Sequence, residues 1–248
     1  NTYTPNDAMP VTGDPVYDGR KARTGNASGL SATPLTGEFT SLWFYDSNAG
    51  QWQTFGRATT DADGKYEIVP GMPIPTTNDT PVYSILEADG SCAEHYNFFM
   101  DKGKKFVVTD IDGTMTASND ELFKEIDDGS YVPAQNKSAV ELMKEWHKKK
   151  YPIVYLTARP HLFRAETRAW LESQGFPIGA VISANTLVTG DSARQYKGAW
   201  CKRRISDLGW GVEAAYGNEL SDAQAYEDAG IPKTVTFTIN EAAGAVGT

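Results

Sequence analysis

The stretch Phe106-Val107-Val108-Thr109-Asp110-Ile111-Asp112-Gly113-Thr114 runs three large apolar residues directly into two carboxylates, a glycine and a threonine. An unbroken apolar triplet reads as a strand covered on both faces, since a half-exposed strand would alternate apolar with polar. Asp, Gly and Thr favour turns, and a pair of carboxylates resists burial. The sequence therefore predicts a buried strand whose carboxyl end presents Asp110 and Asp112.

The same grammar repeats downstream. Ser138 to Lys149 sets Val140, Met143 and Trp146 at helical spacing, and Ile153-Val154-Tyr155-Leu156 is the next strand. Phe163 to Ser173 reads as a helix closed by Gly175, Ala180-Val181-Ile182 as a strand, Tyr196 to Leu208 as a helix and Ala214-Ala215-Tyr216 as a strand. Ala223 to Ala229 and Thr234 to Ile239 complete the series as helix and strand. Strands alternating with helices imply an α/β fold: a Rossmann-like, mainly parallel sheet with helices on both faces and ligands at the carboxyl ends of its strands.

Upstream the texture differs. Residues 1–100 are rich in Thr, Gly, Asn, Asp and Pro and carry short alternating segments at Thr40 to Tyr45, Gln51 to Ala58, Lys65 to Val69 and Val82 to Glu87. A polar turn ending in Asp63-Gly64 separates two of these, which is a hairpin signal. The expected organisation is a small antiparallel β-sandwich over 1–100, of immunoglobulin or transthyretin type, followed by the α/β domain over 101–248. The turn Asp61-Ala62-Asp63-Gly64-Lys65-Tyr66 resembles those of transthyretin-like or carboxypeptidase-regulatory β-domains. Trp43, Tyr45, Trp52, Phe55 and Tyr66 recur at strand spacing and are expected on the core face rather than as a sugar platform.

A formal charge of -9 argues against a nucleic-acid partner, because binding a polyanion rests on Lys and Arg. It leaves room for a small cationic pocket and a phosphorylated substrate. No apolar run approaches the roughly 20 residues of a membrane span. The expectation is a soluble chain, secreted or periplasmic, with the cytoplasm as the alternative; the first residue, Asn1, leaves room for an upstream secretory signal. Cys92 and Cys201 read either as separate thiols or as one disulfide, and His95, His147 and His161 stand at no metal-ligand spacing.

Three strand ends carry the chemistry: Asp110 to Thr114, then Thr157-Ala158-Arg159, then Gly217-Asn218-Glu219-Leu220-Ser221-Asp222. Two carboxylates one residue apart can divide the work, one attacking and one exchanging protons. Gly113 permits close backbone approach to a phosphate, and Thr114 can cap the following turn or bond a phosphate oxygen.

Asp-Ile-Asp-Gly-Thr after an apolar strand resembles the first signature of haloacid-dehalogenase phosphatases, and Leu156-Thr157 resembles their second. Val108 to Thr116, Tyr155 to Arg159, Gly217 to Tyr226 and Gly230-Ile231-Pro232 together are similar to the catalytic domain of lipin-type phosphatidate phosphatases, over about Lys104 to Ile239. The resemblance implies Asp110 as nucleophile, Asp112 as general acid and base, and Thr157 as a hydrogen-bond donor to the transferring phosphoryl group. It implies substrate contacts from Gly113, Thr114, Ala158 and Arg159. Mg2+ would be held by Asp110, the Asp112 carbonyl and Asn218, with Asp222 as ligand or orienter; Asn218 replaces the Asp usual in the wider superfamily, as it does in lipins. The charge-neutralising lysine would be Lys197, with Lys202 as the alternative.

Phosphatidylinositol-transfer proteins carry a similar domain with degenerate carboxylates that binds phosphatidate without hydrolysing it, whereas Asp110 and Asp112 are both present here. The favoured substrate is phosphatidate, with peripheral membrane contact, against a soluble phosphomonoester. A non-catalytic phospholipid sensor is the alternative from another class, and a sandwich that acts as an adhesion module beside an α/β relic is a third. Only about 20 residues separate the first motif from the next helix, too few for a large cap, so an open site is expected.

Overall fold

The computed structural model describes residues 2–3, 11–12, 23–28, 34–68, 81–96, 100–101, 103–184, 186–240 and 243. The chain divides into two compact units, Asn1–Asp101 and Lys102–Thr248.

The first unit holds β1 (Thr2–Tyr3), β2 (Val11–Thr12), β3 (Arg23–Ser28), β4 (Phe39–Asp46), β5 (Gln51–Thr59), β6 (Lys65–Ile68), β7 (Pro81–Leu86), β8 (Cys92–Tyr96) and β9 (Met100–Asp101). A four-stranded antiparallel sheet runs β5-β4-β7-β8, a three-stranded one runs β1-β3-β6, and β2 pairs with β9. Alternation along β4 turns Leu42 and Phe44 inward, where they meet Phe55, Val82, Leu86 and Ala93 of the same sheet and Tyr66 and Ile68 of β6. Residues of two sheets thus share one core, the arrangement of a sandwich. The turn before β6 forms because the Asp61 carboxylate accepts from the Asp63 and Lys65 amides, while Gly64 adopts a φ of 72°.

Only part of the aromatic set lies in that core. Phe55 and Tyr66 are buried, but Tyr45 and Trp52 are 48% and 53% exposed. The period of two that turns Leu42 and Phe44 in necessarily turns Trp43 and Tyr45 out. Trp43, Trp52, Tyr83, Ile85 and Cys92 line an apolar trough of about 540 Å³ on the outer face. Val69 lies outside the described residues. Cys92 is exposed and Cys201 buried, both as free thiols, and burial pushes the Cys201 thiol up to about 12.

The second unit holds β10 (Lys105–Thr109), α1 (Glu121–Asp127), α2 (Ala139–Lys148), β11 (Ile153–Pro160), α3 (Arg164–Ser173), β12 (Ala180–Ala184), α4 (Gly190–Ser206), β13 (Gly211–Gly217), α5 (Leu220–Asp228) and β14 (Thr236–Thr238). The sheet is parallel throughout, in the order β12-β11-β10-β13-β14. Val107, Ile153, Tyr155, Val181, Ala214 and Tyr216 pack against Val140, Met143, Trp170 and Leu171 of α2 and α3. Their neighbour Phe106 points the other way, edge-on to Trp200 of α4 and to Trp210, so helices cover both faces.

After β10 the chain builds outward through β11 and β12, then returns to the far side of β10 for β13. The crevice at that reversal is where such sheets bind ligands, and Asp110 and Asn218 are the first residues beyond its two strands.

Several element bounds differ from the sequence expectation, three of them most. Helix α1 lies in the segment read as a bare connection; its seven residues are too few to show a period. Helix α4 starts at Gly190 rather than Tyr196, its entry fixed by the Thr189 amide donating to the Ser192 hydroxyl at 3.0 Å. Strand β11 continues past Leu156 to Pro160, with a register shift against β12.

Candidate functional site

The Asp110 amide donates to the Tyr216 carbonyl at 3.0 Å, one rung beyond the ladder of β10 and β13. The Ile111 carbonyl then accepts from the amides of Thr114, Met115 and Thr116, winding the chain into a tight turn. Gly113 sits in that turn at a φ of 70°. A Cβ there would collide with the Asn218 amide and the Asn119 carboxamide oxygen. Glycine is required twice over, by conformation and by space.

Two ion pairs organise the carboxylates. Lys197 reaches from α4 to place its Nζ 2.7 Å from Asp110 Oδ1 and 2.6 Å from Asp222 Oδ1, with side-chain exposures of 4%, 6% and 1%. Burial pushes the Asp110 carboxyl up to about 7; Lys197 opposes the rise, and Asp222 and Asp112 add to it. Burial alone would lower Lys197, but the two carboxylates outweigh it and hold the ammonium above its ordinary range. In the second pair, Arg159 donates from Nε to Asp112 Oδ1 and Oδ2 at 3.1 and 2.9 Å and from Nη2 to Oδ1 at 2.7 Å. Its Nη1 donates to the Thr167 hydroxyl and lies 3.9 Å from Glu125.

Asp110, Asp112, Ala158, Arg159, Lys197 and Asp222 line a common cleft of about 190 Å³. Lys202 is exposed instead. Gly113, Thr114, Thr157 and Asn218 are buried and do not line the cleft. The Thr114 hydroxyl donates to Asn218 Oδ1 at 3.1 Å, and the Thr157 hydroxyl accepts from the Arg159 amide and stands 3.5 Å from Asp112 Oδ2. Arg159, expected at the phosphate, is buried with its guanidinium on Asp112, Thr167 and Glu125. Asp222 has Lys197 on one oxygen and the Asn218 and Glu219 amides on the other, which is an orienting position.

Sequence reasoning missed the rest of the cleft: Asn119, Leu122, Phe123, Leu187 and Glu219 among them. Phe123 and Leu187 are 54% and 53% exposed, and an exposed apolar residue beside a polar motif was their only available signal. Glu219 stood inside a motif already singled out.

Four carboxylates, from Asp110, Asp112, Glu219 and Asp222, face two cations in the cleft. A phosphate would meet net negative charge without a further cation. Among the described residues no cluster of three or more His, Cys, Asp or Glu is set to hold a metal. The Asp110 carboxylate, the Asp112 carbonyl and the Asn218 amide oxygen are all oxygen donors, the chemistry Mg2+ would require of its ligands.

Comparison with known proteins gives the family. The family model described as "PITM 1-3, LNS2 domain" matches residues 107–240, more than half of the chain. The membrane-associated phosphatidylinositol transfer protein 1 of Rattus norvegicus is 27% identical over 219 residues, which is 86% of this chain and 16% of that protein. The corresponding protein 3 of Homo sapiens is 27% identical over 214 residues, 85% of this chain and 21% of the relative. Protein retinal degeneration B of Drosophila melanogaster is 24% identical over 197 residues, 79% and 15% of the two chains. The chain thus spans only about a fifth or less of the length of these curated relatives. The alignments are longer than the unit Lys102–Thr248 and so reach into the β unit, which the lipin resemblance did not cover.

Proposed function

The chain belongs to the LNS2 domain family of the PITM 1-3 type, and from that premise we propose that its α/β unit takes the phosphomonoester head of a phospholipid, phosphatidate foremost, and hydrolyses it as haloacid-dehalogenase phosphatases do. The observation that carries the reading is the buried Lys197 bridging Asp110 and Asp222 on the floor of a cleft that Asp112 also lines. Lys197 offsets the charge that Asp110 must bring to an anionic phosphate. Asp110 attacks phosphorus to form an aspartyl-phosphate while Asp112 protonates the departing ester oxygen. Asp112 then takes a proton from the water that releases phosphate. Mg2+, when bound through Asp110, the Asp112 carbonyl and Asn218, supplies positive charge against the repulsion of the two anions.

A lipid is favoured because Phe123 and Leu187 set apolar sides on a charged floor, which suits a phosphate joined to an apolar body. The relatives named membrane-associated phosphatidylinositol transfer proteins point the same way. Among the described residues no helix is long and apolar enough to cross a membrane, so access to lipid is proposed to be peripheral.

The test is phosphate release from short-chain phosphatidate and from a panel of soluble phosphomonoesters, with and without Mg2+, in the native chain and Asp110→Asn. Release requiring both Mg2+ and Asp110 is expected, with phosphatidate the better substrate. One observation favours a second reading, binding without turnover: Asp112 has both oxygens on a buried arginine, an arrangement that opposes proton exchange. Phosphatidate binding by the native chain with no release from any substrate would establish that reading instead.

A further inference from the structure

Asn119 controls which way the Asn218 carboxamide can face. A carboxylate only accepts hydrogen bonds, so when Asn119 Nδ2 donates to Glu219 Oε1 at 2.5 Å the Asn119 oxygen must point the other way. That oxygen accepts from Asn218 Nδ2 at 2.9 Å. Asn218 is thereby left with its own oxygen toward Thr114, whose hydroxyl donates to it at 3.1 Å. The chain of bonds has one polarity from end to end, set by the carboxylate at Glu219. Amide nitrogen and oxygen are nearly isosteric, so nothing in the packing alone distinguishes the two flips of Asn218. Chemistry distinguishes them sharply, because a cation binds the oxygen and is repelled by the NH2 group.

We propose that Asn119 is a positioning residue: together with Glu219 it locks the Asn218 carboxamide in the flip that offers its oxygen to a divalent cation at the Asp110–Thr114 turn. The close packing of both amides against Gly113 holds the three parts together. The proposal rests on the Mg2+ reading of the site given above.

The experiment titrates Mg2+ alone into the full chain by calorimetry and measures thermal midpoints in EDTA. Asn119→Leu removes the lock without adding charge, and Mg2+ affinity is expected to fall about tenfold or more, as when a partner of a metal ligand is lost, with the EDTA midpoint unchanged. The double variant Asn119→Asp with Glu219→Gln reverses the first bond but preserves both the pair's charge and an acceptor for Asn218 Nδ2. It is expected to bind Mg2+ within about threefold of the native chain, since the polarity at Asn218 is retained. Native affinity in Asn119→Leu, a double variant as weak as Asn119→Leu, or a fall in the EDTA midpoint that accompanies the loss would each overturn the lock. No Mg2+ binding by the native chain would overturn the cation reading and the lock with it.

Discussion

Lys197 stands between two carboxylates, and all three side chains are withdrawn from water. Replacing it with methionine keeps most of the side-chain volume but leaves Asp110 and Asp222 facing each other without a counter-charge. Lys197→Met is expected to cost about 3 kcal/mol or more in urea unfolding at pH 7, the order seen when one member of a buried pair is removed. It is also expected to abolish Mg2+-dependent phosphate release. The residue was legible because Tyr196-Lys197-Gly198 sits on a helix preceding the last motif, though only packing separates it from Lys202. Arg159 was legible in part: its place beside Thr157 was visible and it lines the cleft, but its ion pair with Asp112 left no trace in the local pattern. Asn119 was invisible, since its partners Asn218 and Glu219 lie about a hundred residues away and no local pattern records them.

Helix α1 shows what an element owes to tertiary contacts. Glu121 accepts from the Tyr131 hydroxyl, the Ala134 amide, Lys124 and Ser118, tying the segment after Thr116 into a closed loop. Burial by itself pushes the Glu121 carboxyl up, but bonds from Lys124, Ala134, Tyr131 and Ser118 prevail and hold it down at about 2. Because the folded value lies below the unfolded one, the stability it contributes is complete above about pH 4.5 and is lost as pH falls toward about 2. Glu121→Gln should flatten that part of the stability curve and weaken the fold near neutrality by on the order of 2 kcal/mol, followed by circular dichroism against urea. The same helix places Phe123 at the cleft mouth. Phe123→Ser is expected to reduce turnover of phosphatidate in vesicles about tenfold, the worth of one buried aromatic, while leaving soluble phosphomonoesters unaffected. Longer elements were legible because buried strands are short apolar runs and α2 repeats every turn; α1 was not, because its stability comes from partners outside itself.

At the scale of the whole molecule, every side chain of the cleft comes from the unit Lys102–Thr248. That unit has its own core between α2, α3 and the parallel sheet. A chain of residues 102–248 expressed alone is therefore expected to unfold in one cooperative transition and to retain Mg2+-dependent phosphate release within about threefold; loss of release from a folded fragment would give the β unit a part in the reaction. The central position of β10 carries one more consequence, for biosynthesis. Its partner β13 is joined to it only by distant pairing, Val108 with Ala215 among others, and such contacts form late because a long loop must close first. A nascent chain emerging from the ribosome holds Asp110 long before Lys197, Asn218 and Asp222 are added, so Asp110 spends synthesis without its ion pair, whereas Asp112 meets Arg159 earlier, and the site is completed last.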